Sequence, residues 1–340
     1  MALGAAQEGI DVRFAVEADP HAVATYSHNH PNARLYADDI RNLKDVDIKD
    51  GQVKVVLFGG PPCQGFSTSN QRTRNSNNPN NWLFLEFVRI VKLCKPHWVV
   101  FENVKGIVET ERGTFLQNTL QDLSNYGYTT SWWILNAADF GVPQRRFRLF
   151  IIGSLDGILV EKPDPMVTNH VTVHEAIADL PDLLNGASVN CVPYKRNPIS
   201  DYADMMRGGL EASSNHLVTR NAPCILERYR FIPQGGNWQD IPRNLLKNYR
   251  DPDMCHTGIY HRLREDAPSV VIANYRKNML IHPSQDRGLS VREAARLQSF
   301  PDWYEFKGSI GFQQQQVGNA VPPLLARVVF RTILRNHRRK

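Results

Sequence analysis

Short apolar runs of strand length recur through the first half of the chain, at residues 13–17 (Arg-Phe-Ala-Val-Glu), 53–58 (Val-Lys-Val-Val-Leu-Phe) and 97–101 (His-Trp-Val-Val-Phe). Segments of helical texture separate them. Residues 2–9 read as a helix closed by a glycine, and 20–30 as a helix with Pro20 in its first turn. Leu83, Phe84, Phe87, Val88, Ile90, Val91 and Cys94 recur at helical spacing and predict a strongly apolar packing helix. A helix over 114–126 and two strands over 129–135 and 147–152 follow. Strand and helix in alternation predict an α/β protein built on an open, Rossmann-like, doubly wound and mostly parallel sheet.

From about residue 162 prolines become frequent and the periodicity fades. Mixtures of Arg, Asn, Gly and aromatic residues suggest a smaller, loop-rich recognition domain. Order returns with a strand at 269–273, then a helix at 290–298. There Ser290 and Glu293 form a capping-box pattern. A last apolar helix lies near 324–334. The predicted organisation is therefore 1–161, 162–268, and a return to the first domain over 269–340, without internal repeats.

Composition changes this picture little. The 340 residues are 42% hydrophobic and 22% charged, an ordinary globular balance, and no apolar run approaches the length of a membrane span. Five widely spaced cysteines, without a Cys-x-x-Cys pair, argue against a disulfide framework or a zinc site and for a reducing cytoplasm. The net charge of +6 makes a polyanionic partner plausible.

Candidate chemistry gathers at strand ends. The run Gly59-Gly60-Pro61-Pro62-Cys63-Gln64-Gly65-Phe66-Ser67 stops the second predicted strand in a tight turn, where open α/β sheets place reactive groups. Cys63 is there either a nucleophile, if its thiolate is favoured, or a small buried residue under the turn. Residues 68–81 are almost wholly polar and read equally as a disordered loop or as a lid. As a lid, it would bring Arg72 and Arg74 to a phosphate backbone. The next strand ends on Glu102-Asn103-Val104, and neighbouring strands would bring Glu102 and Cys63 to one pocket. Alternation through 144–148 points Gln144, Arg146 and Arg148 the same way. Glu17 closes an earlier strand, where an acid can accept hydrogen bonds from ribose hydroxyls, and the turn at 36–40 offers a second acid.

These pieces, in this order, resemble the C5-cytosine DNA methyltransferase family over nearly the whole chain. The matching motifs are the Pro-Pro-Cys-Gln-Gly-Phe-Ser turn, Glu-Asn-Val at 102–104, Gln-x-Arg-x-Arg at 144–148, the Arg292-to-Pro301 run and Gly318-Asn319-Ala320-Val321-Pro322-Pro323. The resemblance implies a methyltransferase fold dependent on S-adenosylmethionine, with a target-recognition domain. It implies methylation of cytosine C5 in a specific duplex sequence, on a base flipped out of the helix.

By the same resemblance Cys63 attacks C6, protonated Glu102 engages N3, and Arg146 and Arg148 hold the base carbonyl and adjacent backbone. Glu17, Asp39, Pro62, Leu83, Asn319 and Val321 are expected around the cofactor, and Gln64, Ser67, Arg72, Arg74 and Gln144 against DNA. No metal is implied. The expected setting is a monomer acting on double-stranded DNA, with a restriction endonuclease reading the same site without a stable complex.

The family's opening Phe-x-Gly-x-Gly-Gly turn, which cradles the methionine end of the cofactor, is not found in these residues. Either an upstream start or impaired cofactor binding is expected. The alternatives are the family's tRNA-methylating branch and a catalytically impaired DNA-binding relative.

Overall fold

A computed structural model describes residues 1–46, 53–61, 82–108, 113–247, 258–273, 275–277 and 279–337. Its first elements are α1 (Ala2–Gln7), β1 (Phe14–Val16), α2 (Pro20–Asn29) and β2 (Arg34–Tyr36). Asp19 starts α2 by accepting the backbone N–H groups of His21 and Ala22, and Pro20 occupies the first helical position. Strands β1 and β2 pair in parallel.

The central sheet has four strands in the order β3 (Val56–Gly59), β4 (Trp98–Val104), β6 (Phe147–Ser154) and β5 (Thr129–Asn136). Strands β3 and β4 run in parallel, as expected of consecutive strands, whereas β6 runs antiparallel to both β4 and β5. Three of these four strands therefore run the same way, and β6 is reversed because the 129–154 hairpin inserts its second strand beside β4.

Both faces of the sheet are covered, and the alternation of the strands decides what each face meets. Val99, Phe101, Leu149 and Ile151 pack against α3 (Trp82–Cys94) and α4 (Thr114–Asn125). Trp98, Val100, Phe150 and Ile152 turn the other way, onto Leu325, Val329 and Phe330 of the last helix, Pro323–His337. Each such side chain contributes about 1.5–3 kcal/mol by leaving water. Helix α1 packs against that last helix so closely that a side chain at Gly4 would collide with Ala326 and the Pro323 carbonyl.

Two further cores lie beyond the sheet. One joins α5 (Val173–Ile177) and α6 (Asp201–Arg207) to α8 (Val291–Leu297) and the aromatic run Phe300, Tyr304 and Phe306. The other gathers Tyr229, Ile232, Trp238, Ile241, Tyr260 and Ile281 around α7 (Pro223–Tyr229). The first core therefore runs across the boundary expected between residues 268 and 269.

One local expectation gives way, and one helix has no counterpart in the sequence reading. Residues 269–273 form no strand; they make a single bridge to the hairpin, where Ser269 pairs with Gln144. Residues 310–319, which show no apolar stripe, form helix α9 (Ile310–Asn319), followed by α10 (Pro323–His337). The joint stretch Ile310–His337 is long and apolar enough by composition alone to cross a membrane. Most of that apolar stretch is buried in the protein, however, as in a core helix.

Candidate active site

Strand β3 ends at Gly59 in register with Phe101, so the following turn lies beside Glu102, inside β4 rather than at its end. A side chain at Gly60 would strike Glu102 Oε2, so glycine here lets the turn close onto the carboxyl group. Asn103 Nδ2 donates to the Pro61 carbonyl at 3.0 Å and fixes the turn from the same strand. The chain then enters the 62–81 segment. Pro62, Cys63, Gln64, Ser67, Arg72 and Arg74 lie outside the described residues.

Glu102 is 8% exposed. Its Oε1 is 2.9 Å from Arg148 Nε, an ion pair formed because β4 and β6 are antiparallel neighbours. Burial raises the Glu102 pKa above the usual carboxylate value, against the opposing charges of Arg148 and Arg146. The result is a carboxyl group that binds a proton more readily than a solvated one, next to the turn leading to Cys63.

Gln144 and Arg146 face inward like Arg148 but are used differently. Arg146 is 1% exposed and donates to the carbonyls of Ile272, Gly318 and Ala320, each at 3.0 Å. Three carbonyl dipoles thus take the place of water around its charge. Gln144 is fully buried, and its amide donates to Leu297 O and Gln298 Oε1 while accepting the Ile272 N–H. That placement does not suit the DNA contact expected of Gln144, since both ends of its amide are taken up inside the protein. Arg146 likewise turns both terminal nitrogens to backbone, which leaves Arg148 as the arginine paired with Glu102.

A cavity of about 380 Å³ opens beside β1, lined by Leu3, Glu17, Tyr26, Phe306, Asn319 and Ala320 among others. Glu17 Oε1 accepts the N–H groups of Ala18 and Asp19 at 2.9 Å, which sets the carboxylate at the strand end. Asn319 is exposed at the end of α9. An acidic acceptor and a free-standing amide on one cavity suit a hydroxyl-bearing nucleoside. Glu17 and Asn319 thus line one cavity.

Asp39, Leu83 and Val321 are not among the lining residues of this cavity. Asp39 instead accepts Arg41 at both oxygens, 2.6 Å at Oδ2 and 3.0 Å at Oδ1, which lowers its pKa to about 2. Val321 is packed in the core under α10, and Leu83 is half-buried in the first turn of α3. Among the described residues no group of acids, histidines and cysteines is arranged to hold a metal ion. Sequence reasoning overlooked Asn103 as the brace of the turn and the aromatic wall of Tyr26 and Phe306. Crowding of aromatic residues at 300–306 was the available signal for the wall.

The sequence profile of C-5 cytosine-specific DNA methylases matches residues 1–335. The chain is 36% identical over 338 residues to the type II methyltransferase M1.HphI of Haemophilus parahaemolyticus, covering 98% of this chain and 83% of that one. It is 34% identical over 345 residues to M.DdeI of Desulfomicrobium norvegicum, with 94% and 82% covered. Among solved structures, one described as a DNA modification methyltransferase encoded within an E. coli prophage superposes with a TM-score of 0.79. It shares 26% identity and covers 99% of this chain and 96% of the other. S. pombe Dnmt2 shares the fold at a TM-score of 0.60 and 15% identity, with 100% and 95% covered. The chain belongs to the C-5 cytosine-specific DNA methylase family.

Proposed function

We propose that this DNA (cytosine-5)-methyltransferase takes its methyl group from S-adenosylmethionine and works through a covalent adduct between Cys63 and C6 of a flipped-out cytosine. The observation that carries the reading is the buried Glu102, its pKa raised by burial, held by Arg148 beside Gly60, three residues before Cys63. C5 of cytosine is a poor nucleophile. Addition of the Cys63 thiolate to C6 pushes electron density onto C5 and N3, and Glu102 gives its proton to N3 as that charge develops. Arg148 is suited to the base carbonyl on the same side. S-adenosylmethionine supplies an electrophilic methyl group. Once C5 is methylated, loss of its proton restores the double bond and expels Cys63 as thiolate.

Glu17 and Asn319 would hold the nucleoside part of the donor, with Tyr26 and Phe306 walling the cavity. Reading of the DNA sequence is assigned to the loop-rich part around the α7 core. Arg220, Arg230, Arg243 and Lys247 are exposed there and suit phosphates and base edges. The type II relatives suggest a restriction endonuclease reading the same site, with the methyltransferase acting as a monomer. The test is transfer of labelled methyl to duplex DNA and to tRNA, followed by digestion to nucleosides. Label in 5-methylcytosine from DNA is expected; label in tRNA alone, or in another base, would contradict the reading.

A further inference from the structure

Helix α9 delivers Asn319 to the cavity, yet the carbonyls of a helix's last turn have no partner within the helix. Side chains from elsewhere take several of them. Gln298, fully buried just after α8, donates Nε2 to the Val317 carbonyl at 2.7 Å and lies 3.5 Å from that of Ala320. Arg146 holds the carbonyls of Gly318 and Ala320 from the hairpin side. Gly318 itself lies against the Ala273 carbonyl so tightly that any side chain there would force the two apart. Gln298 Oε1 in turn accepts Gln144 Nε2, from the strand region that carries Arg148 to Glu102.

We propose that Gln298 is a positioning residue for the methyl donor, fixing the backbone at 317–321 so that Asn319 faces the cavity. The proposal rests on the donor-site reading above. Gln298 does not line the cavity, so its effect passes through the helix end and is separable from direct contact. Arg146 would be a poorer probe, because its charge also acts on Glu102.

The substitution Gln298→Met keeps length and packing but removes the hydrogen bonds of the amide, those to the Val317 carbonyl and from Gln144 included. In methyl transfer to duplex DNA by the full chain, KM for S-adenosylmethionine should rise about tenfold, as expected for one buried hydrogen bond and a stranded carbonyl. At saturating donor, kcat should stay within about threefold. Amide exchange at 317–321 should quicken by a similar factor, with that of β4 unchanged. Gln298→Asn keeps the amide but is one methylene too short for the Val317 carbonyl, and carries the same test should the Met variant not fold. An unchanged KM with unchanged exchange overturns the proposal, as does a parallel loss of kcat and donor affinity with lowered melting in both variants. Should the wild-type chain transfer no methyl to DNA, the donor-site reading fails, while the exchange comparison still decides whether Gln298 holds the helix end.

Discussion

Buried carboxylates paired with arginines among the described residues fall into two kinds, and they behave in opposite ways. Glu102 has one close arginine at one oxygen, and burial prevails, so its pKa is raised. Glu293 is buried as deeply, but Arg287 grips both its oxygens at 2.6 and 2.8 Å and the Ser290 N–H adds a third bond. Burial there is overcome and the pKa falls to about 2. Asp302 follows the same pattern, since burial opposes ionisation but Arg296 at both oxygens and the Tyr194 hydroxyl lower its pKa. A carboxylate with every lone pair engaged is a structural anion. One held by an arginine at a single oxygen among the described residues, beside a turn, is placed to exchange a proton.

The largest effect that would break this contrast is on rate. Glu102→Gln retains an acceptor for Arg148 but cannot deliver a proton, so methyl transfer should fall ~10²–10⁴-fold. Its melting temperature should stay close to that of the wild type. A fall in melting with transfer preserved would make Glu102 another structural anion.

Arg296→Met should do the reverse. It strips Asp302 and Asp179 of their common partner inside the protein, at a cost of about 3–5 kcal/mol in urea unfolding. A well-folded variant with lost activity would overturn the assignment of this cluster to stability.

The pH dependence of stability separates the two kinds of site by sign. Glu293, lowered from 4.5 to about 2, contributes stability that is present above pH 4.5 and is lost as pH falls towards 2. At 1.36 kcal/mol per unit this amounts to roughly 3 kcal/mol. Glu102, raised, contributes stability that is full below its unfolded value and is lost as pH rises through its folded value. Unfolding series on the wild type, Glu293→Gln and Glu102→Gln should show the first variant flattening the acid limb and the second removing a loss on the other side.

The smallest effect is expected from Arg148→Lys, which keeps a charge near Glu102 but not the 2.9 Å contact from Nε. A loss of about tenfold in kcat is expected, and an unchanged pH–rate profile would show that Arg148 has no part in the Glu102 proton.

The end of β3 was legible because a local pattern decides it, a β-branched run stopping at Gly-Gly-Pro-Pro, whereas β4 runs past Glu102 to Val104 because its pairing with β6 carries it on. The capping box at Ser290 was likewise legible from its local pattern. What Gln144 and Arg146 do was not, since alternation assigns them a side but not a partner. Their partners are backbone groups more than a hundred residues away. Helix α9 escaped notice because its Gln-rich sequence has no apolar stripe. It is held by tertiary hydrogen bonds, from Asn215 to Gln313 and from Gln314 to Thr219. The 269–273 segment looked like a strand by composition. Its backbone instead serves the hairpin, with Ser269 on Pro143 and Ile272 on Gln144.

The measurement that tests the mechanism most directly is incubation of the full chain with S-adenosylmethionine and duplex DNA carrying 5-fluorocytosine at the methylated position. Fluorine at C5 cannot leave as a cation, so the adduct cannot be resolved. The account predicts a denaturation-resistant one-to-one complex whose cross-linked peptide contains Cys63, lost in Cys63→Ser and slowed in Glu102→Gln. An enzyme that methylates ordinary DNA yet forms no adduct, or one attached through a residue other than Cys63, would contradict it.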